Sequence, residues 1–415
     1  MSDQQRVLII GAGQAGGQLA LQLRQKGFVG SIILVGEEAI PPYERPALSK
    51  SILTGNQTPE DLLLRTAEAY AELNIELHLS TRITHLNLQT RQATFNNNLN
   101  TDFDILVFAT GATPRNLPLP GCDLPGVHLL RTNKDSLAIK ARLAEAQSIA
   151  IIGGGFIGME VAASARSLGI KTSVLEAGPR IMARSLPAFI ANKIAALHQN
   201  EGNQITCNAA IQGFIGDKNV SGVQFQDGSK LEFEAVIVGI GVTPNTQLAE
   251  AAGIQCDNGI ITDARGLTSA DNVYAIGDCA ASLLSRYERH QRLESYQNAN
   301  QQAENVVASI MGNHKDYNPV PWLWSDQYHW QIQTLGFPVE AEHWLLRGDL
   351  DSDRKEIHLG FRNGKLSSVV SIAEGTAASA DVRILQRMLE MGIQADQTLL
   401  SDPDIKLKTL LKQSG

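Results

Sequence analysis

The sequence predicts an α/β fold with two Rossmann-like dinucleotide-binding βαβ units and a separate C-terminal α+β domain. Three observations carry this. A short apolar strand runs into a Gly-x-Gly-x-x-Gly turn twice, at residues 7–16 and again at 149–158. Each turn opens a helix, and the strand that follows ends at or just before an acid. Beyond residue 321 the alternation of strand and helix gives way to hairpin-like runs.

Residues 7–10 are a continuous apolar run, as expected of a strand buried on both faces of a parallel sheet. Gly11-Ala12-Gly13-Gln14-Ala15-Gly16 follows, then a helix through Leu19, Leu21 and Leu23 that Gly27 can end, then the strand Ser31–Val35. The second copy reads Ser148–Ile152, Gly153-Gly154-Gly155-Phe156-Ile157-Gly158, a helix closing at Gly169, and Lys171–Leu175 running directly into Glu176. Each copy has the length of a βαβ unit, so the motif is duplicated within the chain. Residues 104–111 and 235–245 are two more strands running into glycine, and each closes one domain. Residues 272–279 form a further strand ending in Gly277-Asp278. In the tail, strands at 356–361 and 366–371 flank Asn363-Gly364, a hairpin turn signal, and a helix covers 382–391. The expected division is 1–112 with 246–320, then 113–245, then 321–415.

The 415 residues are 43% hydrophobic and 19% charged, enough to bury sizeable cores, which excludes disorder and collagen-like repeats. A net charge of −8 argues against a general nucleic-acid binder. No apolar run is long enough for a membrane span. Met1–Gln5 carries neither a basic n-region nor an apolar stretch, so no secretory leader is expected. Cys122, Cys207, Cys256 and Cys279 lie far apart and the histidines are scattered, so neither a Cys-x-x-Cys pair nor a zinc motif is present. The expectation is a cytoplasmic protein with reduced thiols and no metal site.

In a Gly-x-Gly-x-x-Gly turn the first glycine permits the tight bend. The second lets the backbone approach a pyrophosphate, and the third lets helix and strand pack closely. The helix N-terminus then presents free N–H groups to the phosphates. Glu176, at its strand end, can accept hydrogen bonds from a ribose 2′-hydroxyl and would repel a 2′-phosphate. Arg180 and Arg184 are the nearest cations, so NADH is expected over NADPH. In the first copy the equivalent acid is Glu37 or Glu38. One cofactor cannot fill both turns. Passing hydride from a nicotinamide to a flavin needs both, so the motifs lead to an FAD- and NADH-dependent oxidoreductase.

The full set of motifs is more specific. Gly11-x-Gly13-x-x-Gly16, Tyr43-Glu44-Arg45-Pro46-Ala47-Leu48-Ser49-Lys50, Ala109-Thr110-Gly111, Gly153-x-Gly155-x-x-Gly158-Met159-Glu160, Gly277-Asp278-Cys279 and Trp322-x-Trp324-Ser325-Asp326-Gln327 occur in this order. Together they resemble the NADH-dependent ferredoxin reductases of bacterial monooxygenase and ring-hydroxylating dioxygenase systems. The resemblance spans nearly the whole chain, with Ala47 standing where Pro is common.

It implies a glutathione-reductase-like flavoprotein architecture and the following roles. Ala15 lies by the FAD pyrophosphate and Glu37 binds the adenosine ribose. Arg45 and Pro46 lie near the flavin, Lys50 is close to its N5 edge, and Ile83 offers backbone to the adenine. Arg131 reaches the FAD, Asp278 bonds the ribityl chain or phosphates, and Tyr296 lies by the pyrimidine side of the ring. Gly155, Phe156, Ile157 and Glu160 line the nicotinamide pocket with Glu176, and Gly241 belongs to the loop after that domain's last strand. The partner implied is a small [2Fe-2S] ferredoxin, approached through Trp324, with the reductase a monomer or weak homodimer.

Two readings come from the residues themselves. Glu160 interrupts an apolar helix, a buried carboxylate needs a partner, and Lys50 is the candidate. Cys279 is expected to be a small buried residue rather than a redox thiol. A disulfide reductase is excluded because residues 41–50 hold no cysteine. Two alternatives are a same-fold flavoenzyme reducing rubredoxin or a small quinone or radical acceptor, and a redox-sensing flavoprotein acting by partner binding. A basic docking patch is expected from Arg286, Arg289, Arg292 and Lys315.

Overall fold

The computed structural model describes residues 5–413, so Met1–Gln4, expected to hold no leader, lie outside the described residues. The chain forms two compact units: residues 1–46, 59–113 and 242–319, and residues 47–58, 114–241 and 320–415. The expected division differs in two respects. The segment 47–58 belongs with the second unit, because Leu53 is buried in its core beside Ile139, Met159 and Ile332. The tail joins the same unit, since Ile332, Val370 and Ile372 share that core.

In the first unit the sheet order is Val273–Ala275, Ile105–Phe108, Arg6–Ile10, Ser31–Val35, Ile75–His78, with every pairing parallel. The second unit repeats the order with Val127–Leu129, Ala235–Val238, Ser148–Ile152, Lys171–Leu175 and Gln204–Thr206, again all parallel. Both central strands, Arg6–Ile10 and Ser148–Ile152, are buried after their first residue. Those continuous apolar runs thus lie where a two-sided sheet needs them. The run expected as a strand over 272–279 is strand only at Val273–Ala275. Gly277, at φ +73, then turns the chain into a short 3-10 segment, Gly277–Cys279.

The tail is a five-stranded antiparallel sheet in the order Trp322–Gln327, Trp330–Gly336, Lys365–Glu374, Lys355–Arg362, His343–Arg347. Asn363 and Gly364 both have positive φ, 50° and 72°, as a two-residue hairpin turn requires. The helix Ser379–Met391 covers this sheet through Val382, Leu385 and Met388. Tyr328, at φ +57, and His329 turn the first strand into the second, so that Gln327 pairs with Trp330. Among the described residues no helix is long and apolar enough to cross a membrane, and no cluster of His, Cys, Asp and Glu could hold a metal ion.

Candidate cofactor and redox site

The two glycine turns show the division of labour that the motif requires. At Gly11, φ is +115°, and an added Cβ would lie 2.1 Å from the Ala109 carbonyl oxygen. At Gly16 it would lie 2.0 Å from the Gly11 oxygen. At Gly13 its nearest neighbour would be the Arg45 guanidinium, 3.8 Å away. The second turn repeats this: an added Cβ would lie 2.5 Å from the Gly239 oxygen at Gly153, where φ is +104°, and 2.1 Å from the Gly153 oxygen at Gly158, and at Gly155 it would meet nothing within 4 Å. The outer glycines are thus demanded by packing, while the middle ones leave open backbone. The helices Gln14–Gln25 and Phe156–Ser167 have Gly13 and Gly155 as N-caps, no capping side chain and no acid in the first turn. Their first N–H groups are therefore available to an anion. Both turns fit a dinucleotide pyrophosphate.

Around the first turn stand several predicted residues. Arg45 donates to Glu38 at 2.6 Å and to the Tyr43 hydroxyl at 3.1 Å. Burial works against its charge, but Tyr43, Glu38 and Asp278 outweigh that and raise its pKa. Ala15 is buried at the helix start, 3.0 Å from where a Cβ on Gly277 would sit, which brings Asp278 to the same turn. Thr110 donates to the Asn245 carbonyl at 2.7 Å and receives the Asn245 amide at 2.8 Å, which fixes the Ala109-Thr110-Gly111 bend. Tyr296 opens its helix and donates to Glu44 at 2.7 Å. Of the two candidate acids, Glu37 is exposed and paired with Arg82 at 2.8 Å, whereas Glu38 is held by Arg45 and Tyr43. Ile83, the residue after Arg82, is buried in the strand Ile83–Asn87. Pro46 ends the first unit's opening segment, and Arg131 and Lys50 fall within the second unit.

At the second turn Glu176 accepts from the Gly154 N–H at 2.6 Å and the Gly178 N–H at 2.7 Å. Its carboxylate is thereby aimed along the glycine turn itself. Phe156 is half-buried and Ile157 is 49% exposed at the helix start, so both are available as lining. Arg184 reaches to 3.4 Å from where a Gly241 Cβ would lie, whereas Arg180 turns back to the Ala183 carbonyl at 3.2 Å. The Arg131 N–H is held by Asp135 at 3.1 Å.

The buried carboxylate has the partner its sequence context demanded. Lys50 Nζ lies 2.9 Å from Glu160 Oε1, and Glu160 is only 3% exposed. Burial pushes the Glu160 carboxyl up, opposed by Lys50 and by two hydroxyls: Ser325 donates at 2.6 Å and Ser49 at 2.5 Å. Ser164 in turn donates to the Ser49 carbonyl at 2.7 Å. Ser49, Ser325, Gln327 and His198 are members of this site that the motifs did not assign. The available signal was the strand's alternation, in which Ser325 and Gln327 are the fully buried positions of Trp322–Gln327.

Trp322 and Trp324 lie on the same side of that strand, with ring centroids 6.0 Å apart. The expected basic patch loses one member. The Arg292 side chain is 7% exposed, paired with Glu294 at 2.6 Å and donating to the Asn258 and Asp278 carbonyls, because its strand turns it inward. The four cysteines are free, with Cys279 buried and its thiol pushed up chiefly by burial.

Residues 5–303 match the family described as Pyridine nucleotide-disulphide oxidoreductase, and residues 322–411 match Reductase C-terminal. The chain is 37% identical over 402 residues to rhodocoxin reductase of Rhodococcus erythropolis, covering 97% of this chain and 93% of that one. The family is decided by these matches. The chain belongs to the pyridine nucleotide-disulphide oxidoreductases. Among solved structures it is similar to the ferredoxin reductase for the CYP199A2 system from Rhodopseudomonas palustris, with a TM-score of 0.93, 34% identity and all of both chains covered. The covalent putidaredoxin reductase–putidaredoxin complex matches with a TM-score of 0.94 at 32% identity, covering 100% of this chain and 99% of that one. This oxidoreductase is thus an FAD- and NAD(H)-dependent flavoenzyme of the ferredoxin reductase type.

Proposed function

We propose that this protein takes hydride from NADH and passes electrons singly to a small [2Fe-2S] ferredoxin that feeds a monooxygenase or an aromatic-ring dioxygenase. The observation that carries the reading is the pair of phosphate turns within a chain whose likeness to ferredoxin reductases extends through the tail. The proposed functional division gives FAD to 1–112 with 246–320, NADH to 113–245, and the tail domain to 321–415, with the segment 47–58 packed on the second unit. FAD, when bound, accepts two electrons as hydride and releases them one at a time.

The residues do the rest. The Gly11–Gly16 turn, Arg45 and Asp278 hold the FAD phosphates and ribityl chain, with Glu37 and Ile83 toward its adenosine end. Pro46, Arg131 and Tyr296 complete the flavin's surroundings. The Gly153–Gly158 turn holds the NADH pyrophosphate, Glu176 takes the ribose hydroxyls, and Phe156, Ile157, Gly241 and Arg184 line the remainder. Proximity and orientation supply most of the rate of hydride transfer. Lys50, kept in place by Glu160, favours the negative charge that the reduced flavin carries. Trp324 serves the ferredoxin side. The protein works in the cytoplasm as a monomer or weak homodimer.

Two measurements test this. Lys50→Met should slow flavin reduction by NADH about a hundredfold in stopped flow, the scale of losing one aimed electrostatic group. Reduction at the wild-type rate would remove Lys50 from the chemistry. Trp324→Ala should leave NADH-to-ferricyanide turnover nearly intact while raising KM for the cognate ferredoxin about thirtyfold, as truncating an interface Trp costs ~2 kcal/mol. Equal damage to both would make Trp324 a structural residue and refute the proposed exit.

A further inference from the structure

Behind Glu160 runs a line of buried polar side chains, all within the second unit. Ser325 Oγ donates to Glu160 Oε1 at 2.6 Å. Gln327 Nε2 donates to Ser325 Oγ at 2.9 Å, so the serine spends a lone pair on the glutamine and keeps its proton for the carboxylate. The Gln327 carbonyl oxygen lies 2.8 Å from His198 Nε2, and His198 Nδ1 lies 3.0 Å from Asn203 Nδ2. Asn203 Nδ2 also bonds the Tyr328 hydroxyl. Glu160, Ser325, Gln327, His198 and Asn203 are each at most 4% exposed. The links join the helix Phe156–Ser167, the strand Trp322–Gln327 and the helix Ala188–Asn200.

The line has a direction. With Ser325 donating to Glu160 and Gln327 Nε2 donating to Ser325, the Gln327 carbonyl oxygen is left to accept from His198 Nε2, which places the single imidazole proton there and leaves Nδ1 the acceptor. From there every bond points its donor toward Glu160. Burial holds His198 neutral, with its pKa near 4, so the ring has one proton to place and the neighbours decide where. The reverse arrangement would leave Ser325 with no proton for Glu160, and only a protonated glutamic acid could fill that contact. The polarity of the line and the charge of Glu160 are therefore one variable. Lys50, 2.9 Å away, selects the ionised form. Lys50 is the ion partner at the Glu160 end. At the far end the titratable and charged groups are Tyr328, whose ring centroid is 5.1 Å from that of His198, with Glu201 and Arg166 acting on Tyr328.

We propose that His198 is a positioning residue of this reductase: acting through Gln327 and Ser325, it keeps Glu160 a carboxylate and so keeps Lys50 in place. The use made of Lys50 rests on the functional reading above, but the control of Glu160 does not. A line of neutral dipoles suits this task. It stabilises a buried anion without bringing in a second charge that would compete with Lys50 for it.

The test is a titration of Glu160 in the FAD-loaded enzyme, read from the protonated-carboxyl band in difference infrared spectra. The band is assigned by its disappearance in Glu160→Gln. Gln327→Met keeps shape and removes the link. It should move the titration up by about 1–2 pH units, the scale of losing one hydrogen bond that serves a charge. His198→Phe keeps a ring without its N–H and should move it up in the same direction. Ser325→Ala should do likewise and Ser325→Thr should restore the wild-type value, which keeps the test open if either larger change impairs folding. The acid limb of NADH-dependent flavin reduction should follow the infrared shift. A Glu160 titration unchanged in Gln327→Met, His198→Phe and Ser325→Ala would overturn the proposal. A shifted titration with wild-type flavin reduction in Lys50→Met would instead overturn the role given to Lys50 and leave the line's control of Glu160 established.

Discussion

The two glycine turns have nearly the same backbone and opposite surroundings. In both, the first and third glycines are forced by carbonyl oxygens 2.0–2.5 Å from a would-be Cβ, and the middle glycine is open. Over the first turn, however, stands a cation. Arg45 is 3.8 Å from the open position and is itself held by Glu38 and Tyr43, with Asp278 nearby. Over the second, the open position meets nothing within 4 Å, and the acid Glu176 is pinned by two backbone N–H groups of the loops beside it. The backbone gives each turn the same capacity for phosphate. What differs is the side-chain clamp, which suits retention of a resident cofactor at the first and exchange of a passing one at the second.

The comparison breaks most visibly at Arg45. Arg45→Met should weaken FAD retention about a hundredfold, since it removes charge-assisted bonds worth ~3 kcal/mol and leaves Glu38 without its cation. The check is flavin release on dilution, followed by fluorescence. Retention as in wild type would mean that the turn alone holds the cofactor and the contrast is empty. Glu176→Ala acts at the second turn and should leave FAD content untouched. It should narrow the NADH-over-NADPH preference in kcat/KM about tenfold by removing repulsion of a 2′-phosphate. An unchanged ratio would show that the carboxylate serves only the loop amides it already holds. The smallest effect belongs to Glu37. Glu37 and Arg82 are both more than 60% exposed, and an exposed pair contributes little. Glu37→Gln should therefore weaken FAD only about two- to threefold, through a ribose contact rather than through the fold.

The parts legible in the sequence are those that local pattern determines. Strands 6–10, 31–35, 148–152 and 171–175 announce themselves as apolar runs closed by glycine or acid, because a strand buried on both faces has no other way to read. Asn363-Gly364 is equally plain, since few residues tolerate two successive positive φ angles. The Lys50–Glu160 pair was legible for a different reason: an acid in an apolar helix sets a debt that only a cation nearby can settle. The long-range members were not. Ser325 and Gln327 come from a strand more than 160 residues after Glu160, and His198 from a helix between them. The motif and the strand's alternation mark Ser325 and Gln327 as buried positions, but nothing local marks them or His198 as partners of Glu160. Arg292 misled for a related reason, because a charged residue in a short strand reads as exposed until a neighbouring carbonyl claims it. Segment 47–58 left its expected domain because one leucine, Leu53, found a core assembled from residues about 90 or more positions away.

The strand Trp322–Gln327 lies at the edge of its sheet and is secured through a single neighbour and a two-residue turn. One of its faces carries Trp322 and Trp324, and the other carries Ser325 and Gln327 in the support of Glu160. A slip of one residue would exchange the two faces entirely. Insertion or deletion in the Tyr328-His329 turn would thus displace both sets of side chains in one event, though neither had been mutated. In building chimaeras among related reductases, the length of this turn is for that reason a stricter requirement than the identity of most residues around it.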